Sequence, residues 1–409
     1  MSSALSHVIV LDLSRILAGP WASQVLADLG ADVIKIERPK RGDDTRGWGP
    51  PFLPDTAGGE GGKTDAAYFL CANRNKQSVT VDFTTPEGRD IVQKLARQAD
   101  IVLENFKVGG LKAYGLDYES LKAVNPRLIY CSITGFGQTG PYAARPGYDF
   151  LMQAMGGLMS ITGRGDGEIG AGPQKAGVAV TDILTGLYAA IGILAALTHR
   201  ERTGVGQHID LALLDVQVAC LANQAMNYLV SGKAPERLGN AHPNIVPYQD
   251  FPTSDGYLII AVGNDAQFAR LCAEMRLVDL ALDPRYATNE HRVINRADLI
   301  ERLSAATRTR TTARWIAALE AAGVPCGPIN AIDAVFADPQ VEARALKVDL
   351  PHPVSGSVSL VANPLRLSQT PVTYRTAPPA LGAHTRAVLT ERLGVSVDDL
   401  ERLEAAGII

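Results

Sequence analysis

Apolar residues in the first third of the chain come in short continuous runs, separated by longer amphipathic stretches. Val8–Leu13, Ala31–Glu37, Ser78–Phe83, Ile101–Glu104 and Leu128–Thr134 have strand length and favour Val and Ile. Between them lie helical patterns. One is opened by Gly19-Pro20 and runs to about Leu29, one is opened by Thr85-Pro86-Glu87 and runs to Ala99, and a short one covers Leu121–Val124. Proline suits a first helical turn, where the N–H it lacks would have no partner. Strands that are apolar on both faces and alternate with helices predict a parallel sheet covered on both sides. The fold class is therefore α/β, with a Rossmann-like parallel-sheet large domain. Its first turn, Ser14-Arg-Ile-Leu-Ala-Gly-Pro20, lacks the GxGxxG fingerprint, which disfavours an NAD enzyme.

Further on the pattern loosens. Arg41–Thr64 is rich in Gly, Asp and Pro, with Arg46 and Trp48 embedded. It is too long for a plain connector, so it is functional or mobile. A glycine-rich stretch covers Gly163–Gly177. A smaller α+β domain is expected from residue 228 to 326, with Gly256–Val262 as a strand followed by helices. Residues 1–227 and 327–409 then form the large domain, the latter closing on a last helix over Thr385–Arg392.

One run stands apart. From Ala176 to Leu197 the chain is almost wholly apolar, and Asp182 is its only charge. A carboxylate removed from water is costly unless something stabilises it. A helix start at Thr181 or Asp182 would do so, through capping and the helix dipole. Two roles fit: a structural N-cap, or a semi-buried nucleophile kept ionised by the helix terminus.

Composition narrows the function classes. The chain has 409 residues, 46% hydrophobic and 20% charged, enough for two domains and a large core. A net charge of −4 disfavours a broad nucleic-acid surface. The apolar run is interrupted by Asp182, Thr185 and Gly186, so a core helix is expected rather than a membrane span. The first residues lack the pattern of a secretory signal, and five cysteines show no metal spacing. A reduced cytoplasmic protein without a metal site follows.

Taken in order, a set of short motifs resembles the class III coenzyme A transferases, the formyl-CoA transferase and carnitine CoA-transferase family. They are Val10-Leu-Asp-Leu-Ser-Arg-Ile-Leu-Ala-Gly-Pro20, Leu29-Gly-Ala-Asp-Val-Ile-Lys-Ile-Glu-Arg38, Gly42-Asp-Asp-Thr-Arg46, Asn73-Arg-Asn-Lys76, Glu104-Asn-Phe106, Gly135-Phe-Gly-Gln-Thr-Gly-Pro141, Gly147-Tyr-Asp149, the Asp182 segment and Thr203-Gly-Val-Gly-Gln207. Each is weak alone; their shared order over nearly the whole chain is specific. The resemblance implies a homodimer of interlocked chains, exceptional among folds. It implies a coenzyme A thioester as substrate, small carboxylic acids as partners and no permanently bound cofactor.

The resemblance also puts Asp182 at the family's catalytic aspartate. That residue takes the acyl group as a mixed anhydride and then carries CoA as an aspartyl thioester. Arg15, Leu17 and Ala18 match positions along the pantetheine path, and Arg38, Asn105 and Phe106 match coenzyme contacts. Lys40 and Arg41 beside Arg38 are either coenzyme contacts or a solvated basic turn. Arg74 and Lys76 either meet phosphate or lie on the surface. Ala113 stands where formyl-CoA transferase has a coenzyme-binding arginine, so that contact is missing or comes from Lys112. Gly135 and Phe136 end a strand, where glycine lets backbone approach a ligand and its N–H can stabilise an oxyanion; a tight turn is the alternative. Gly263-Asn-Asp265 is either part of a covering loop or a hairpin turn.

The family's racemases carry a histidine where this chain has Tyr148. A phenol is a poor substitute for an imidazole in proton shuffling near neutral pH. Transfer is therefore favoured over 2-methylacyl-CoA racemisation or a non-catalytic CoA-binding role. Tyr130–Gly135, Val178–Asp182, Leu221–Leu229 and Ile245–Gln249 are most similar to members that pass CoA from succinyl-CoA to a dicarboxylate such as glutarate. A second carboxylate calls for a cation, and Arg46, Arg74 and His242 are the candidates, with Trp48 and Tyr148 as further pocket residues.

Overall fold

Six short strands form one parallel sheet in a computed structural model that describes residues 3–56 and 63–409. They are β1 (Ile9–Asp12), β2 (Asp32–Glu37), β3 (Lys76–Thr80), β4 (Ile101–Glu104), β5 (Ile129–Thr134) and β6 (His208–Ala212). Five overlap the apolar runs. β6, at the sheet edge, escapes that pattern because His208 and Asp210 interrupt it. The spatial order is β3-β2-β1-β4-β5-β6. The winding therefore reverses between β1 and β4, and a crevice opens outside the carboxyl ends of those two strands.

Strand alternation divides the core in two. Val10, Val33, Ile101, Leu103, Ile129, Cys131 and Ile133 face one layer of helices. Leu11, Ile34, Ile36, Val79, Val102 and Tyr130 face the other. The first layer is built by α1 (Ala18–Asp28) and the long helix that follows Val178; the second by α2 (Pro86–Gln98). Thr85 caps α2 by accepting the Gly88 N–H at 3.1 Å. Behind it Ile91, Val92 and Leu95 are buried at helical spacing. Each such aliphatic side chain contributes about 1.5–3 kcal/mol when fully buried.

α3 (Asp149–Met155) precedes α4 (Val180–Thr203). α4 runs further than Leu197 and stops at Gly204, which takes φ 77°, a left-handed conformation that closes helices. It is long and apolar enough to cross a membrane by length and composition. One face, Thr181, Thr185, Ala189, Ile193 and Ala196, is nonetheless packed inside the first unit, against α1 and the sheet. Gly186 sits at the crossing: a Cβ there would lie 2.7 Å from the Ala18 carbonyl oxygen and 3.0 Å from Trp21 Cβ. The second turn of α4 is thereby pressed against the start of α1.

The chain divides into two compact units, 1–157 with 176–225 and 340–409, and 158–175 with 226–339. Against the expected cuts at 228 and 327, the second unit also takes residues 158–175. Its three antiparallel strands, Tyr248–Pro252, Tyr257–Ala261 and Cys326–Pro328, cover a core of Phe251, Leu258, Ile260, Phe268, Trp315 and Leu319. The stretch expected as loop from Arg41 to Thr64 holds a 3-10 turn at Asp44–Gly47 and the strand Phe52–Pro54, paired with Lys63–Ala66; residues 57–62 lie outside the described residues. The helix expected to be last spans Thr385–Leu393 and is followed by another, Val397–Ala405.

Candidate active site

A cavity of about 440 Å³ occupies the crevice at the switch point. Its walls come from segments just beyond the strands: Arg15–Ala18 after β1, Arg38 after β2, Asn105–Val108 after β4, and Ile133–Gly135 at the end of β5. The segment Ala143–Tyr148 and the carboxyl of Asp182 complete the wall. Thus Arg15, Leu17, Ala18, Arg38, Asn105, Phe106, Gly135, Tyr148 and Asp182 meet around one space, although they come from distant parts of the sequence.

Asp182 does not cap its helix. α4 begins at Val180, and its N-cap position, Ala179, supplies no side-chain bond. The cap comes from outside: Asp149 Oδ1 accepts the backbone N–H of Thr181 at 2.8 Å and that of Asp182 at 3.3 Å. Gln153 donates to the other Asp149 oxygen at 2.7 Å and accepts the Ala176 N–H at 2.9 Å. Thr181 Oγ1 donates to Gln217 at 2.7 Å. Asp182 is left half-buried in the first turn with its carboxyl toward the cavity. The expectation that the helix start keeps it ionised is corrected, because the end of the helix is already occupied by a carboxylate. Burial, and then the charge of Asp149, push the Asp182 carboxyl up to about 7.

A second close crossing places Asp149. A Cβ on Gly135 would lie 2.7 Å from Gly147 Cα, and one on Gly147 would lie 2.5 Å from Gly135 Cα. Only two glycines can pass at that distance. The end of β5 and the start of α3 are thus laid back to back, under the cavity. Replacing Asp149 with Asn keeps an oxygen for the two N–H groups and removes the like charge. The Asp182 midpoint, followed by carboxyl-carbon NMR, is expected to move down, with proton affinity falling about tenfold; an unmoved midpoint would show that Asp149 does not govern it.

Several proposed ligands are not brought to this cavity. Arg46 is buried and committed to Glu37 at 2.6 Å and Asp65 at 2.7 Å. Arg74 is buried, bonded to Asp28 at 2.6 and 2.9 Å and to the Val361 carbonyl. Lys76 is also buried, bonded to Pro20 O and Asn73 at 2.9 Å, with its ammonium pushed down to about 7 by burial. Lys112 is exposed on a 3-10 turn away from the cavity lining. Phe136 is buried edge-to-face against Tyr142, and its neighbour Gly135 takes the place on the wall. His242 belongs to the second unit, where its Nδ1 accepts the Asn244 N–H. Gly263-Asn-Asp265, also in that unit, is a helix start: Asn264 accepts the Gln267 N–H at 2.9 Å.

Trp48 packs edge-to-face on Tyr68, ring centroids 5.2 Å apart. Burial, and then the charge of Asp182, push the Tyr68 phenol up to about 12, but neither ring is on the cavity lining.

Two cations on the wall, Lys107 and Arg145, are not singled out by the sequence motifs. Both line the cavity, and Arg145 rests over the rings of Tyr142 at 4.5 Å and Phe136 at 5.3 Å. Their signal is present in part, since Lys107 directly follows Asn105-Phe106 and Arg145 precedes Gly147-Tyr-Asp149. The site thus joins a carboxyl poised near neutrality to four cations, Arg15, Arg38, Lys107 and Arg145. It suits an anionic substrate and attack by an oxygen nucleophile.

The family model of CoA-transferase family III matches residues 5–385. A succinate–glutarate CoA-transferase of Agrobacterium fabrum is 55% identical, with 95% of each chain covered. A human succinyl-CoA:glutarate CoA-transferase is 44% identical over 99% of this chain and 90% of its own. Among solved structures, a CAIB/BAIF family protein from Brucella suis superposes with a TM-score of 0.84 at 53% identity, covering 96% of this chain and all of its own.

Proposed function

Because this chain belongs to CoA-transferase family III and is a CoA-transferase, we propose that it passes CoA from succinyl-CoA to glutarate through Asp182. The observation that carries this reading is the seat of Asp182, a half-buried carboxyl on the cavity wall at the switch point of the sheet. The activity named for the two relatives supports the substrate pair.

The ionised Asp182 attacks the thioester carbonyl of succinyl-CoA. The carbon–sulfur bond breaks, CoA leaves as thiolate, and a mixed anhydride remains. The thiolate attacks the aspartyl carbonyl, releasing succinate and leaving an aspartyl-CoA thioester. Glutarate attacks that carbonyl and displaces the thiolate, which then attacks the glutaryl carbonyl. Glutaryl-CoA departs and Asp182 is restored. One carboxylate replaces another, so no further energy source or cofactor is required.

The lining fits these partners. Arg15, Arg38, Lys107 and Arg145 offer charge to phosphates and to the distal carboxylate of a dicarboxylic acid. A smaller hollow beside the cavity, bounded by Leu13, Ile36, Phe83, Phe106 and Arg38, offers an apolar slot for the flat base of the coenzyme. A homodimer is part of the same reading. The outer face of α4, with Leu187, Ile191 and Leu194, opens onto an apolar cavity of about 790 Å³ that a second copy would cover.

The test is CoA exchange with succinyl-CoA as donor and a panel of acids as acceptors, glutarate among them. Only ionised Asp182 attacks, so kcat/KM is expected to rise with pH through about 7 and level off above it. No exchange to any acid would sink this reading; an acid limb near the ordinary carboxyl value of 3.8 would show that burial does not raise Asp182 in the working enzyme.

A further inference from the structure

The wall formed by Arg15–Ala18 contains an unusual backbone. Ile16 holds φ at 73°, in the left-handed region that β-branched residues avoid. Such strain persists only where surrounding contacts enforce it. Here the contacts come from beneath the wall. Asp43 is 1% exposed and accepts the Ile16 N–H on both oxygens at 3.2 Å. Lys35, fully buried, donates to Asp43 Oδ2 at 2.9 Å and to the Ser14 carbonyl at 2.8 Å. Thr45 donates its N–H and its hydroxyl to Asp43 Oδ1 at 3.0 and 2.8 Å. The peptide group between is fixed by Asn105, which accepts the Arg15 N–H at 2.9 Å and donates to the Arg15 carbonyl at 2.7 Å.

Neither Asp43 nor Lys35 touches the cavity that holds Asp182, although both border the smaller hollow beside it. We propose that Asp43, supported by Lys35, is a positioning residue for the transfer reaction: it holds Ile16 left-handed and so fixes the Arg15–Ala18 wall against which the thioester is turned. The inference rests on the CoA-transfer reading above. Its chemistry explains why a carboxylate is needed. Ile16, Thr45 and Lys35 all donate, so the group between them must accept on both oxygens. An amide would point its own N–H groups at one of these donors.

The test is a pair of backgrounds at position 16. In the native Ile16 background, Asp43→Asn is expected to lower kcat about 100-fold, the size of loss that follows small misplacements around a reacting centre. The glutarate KM is expected to change by less than about threefold. In an Ile16→Gly background the same substitution is expected to cost at least about tenfold less, because glycine takes φ above zero without enforcement. Equal losses in both backgrounds, or no loss in the first, overturn the proposal.

If Asp43→Asn does not fold, Ile16→Pro carries the test with the buried pair intact. Proline fixes φ near −65° and has no N–H for Asp43. A kcat about 100-fold lower, in a protein that melts lower but is folded at the assay temperature, is then expected, and a near-native kcat overturns the inference. Asp182→Ala runs beside these variants. Exchange absent from the native protein defeats the CoA-transfer reading, and exchange retained in Asp182→Ala defeats the nucleophile, whereas exchange lost there and unchanged in Asp43→Asn defeats only the positioning role.

Discussion

Replacing Asp182 with alanine is expected to lower succinyl-CoA:glutarate exchange by about 10⁴-fold or more, the largest loss any single substitution here should produce. The proposed route forms both of its covalent intermediates on this one carboxyl. Without it, glutarate and the thioester would have to react directly in a cavity shaped for neither order of attack. Binding should persist, since Arg15, Arg38 and Phe106 still line the cavity, so CoA affinity should change little while kcat collapses. Mass spectrometry after hydroxylamine treatment of native protein incubated with succinyl-CoA should find the adduct on Asp182 and none on the variant. Near-normal exchange by the variant would remove the nucleophile from the mechanism.

A companion substitution, Asp182→Asn, separates catalysis from folding. Burial raises this carboxyl from 3.8 to about 7, so ionising it costs the folded state. The cost builds as pH rises from the lower value to the higher and is complete above it. The asparagine variant should therefore melt no lower than the native protein at pH 8, and the two should converge at pH 4. An inactive variant that is as stable as the native chain would place the loss in the chemistry.

Arg46→Ala is expected to destabilise the protein by about 3–5 kcal/mol, the usual result of removing one partner from a buried ion pair. The guanidinium bonds Glu37 twice, reaches Asp65, shares the Pro379 carbonyl and lies 3.7 Å over the Phe69 ring. Burial alone would raise Glu37, and the bonds from Arg46 hold it low instead. Taking the cation away leaves Glu37 buried with Ser78 and the Asp43 N–H as its hydrogen-bond donors, and Asp65 half-buried beside it. Urea unfolding should show the loss. A folded variant with native stability and a raised glutarate KM would return Arg46 to the role of substrate ligand.

Arg46 also shows where sequence reading stops. The strands, the helix over the Asp182 run and the loops that meet at the cavity follow from apolar periodicity and from motif order, which are local signals. Whether a charged side chain faces a ligand or an opposite charge is not local. Arg74 finds Asp28, Lys76 finds Asp12, and Lys35 and Arg46 fasten onto Asp43 and Glu37, from other strands and turns. A lone basic residue in a loop looks available until its partner is placed. The cap on α4 was hidden for the same reason: Asp149 belongs to a different helix from the N–H groups it holds. Tyr148 is legible as a wall residue only through the motif around it, whereas Trp48, expected in the pocket, packs on Tyr68 and is not on the cavity lining.

The passage of Gly135 over Gly147 has a consequence for exchanging parts between relatives. Both glycines, the cation Arg145 and the capping Asp149 lie on a single excursion of the chain, from the end of β5 to the start of α3. They would travel together in a chimaera. A donor segment must find Thr134, Gln153 and Thr181 at its borders and Asp210 and Leu214 beside it, so this part of the cavity wall can be recombined as a cassette while the strand frame stays untouched.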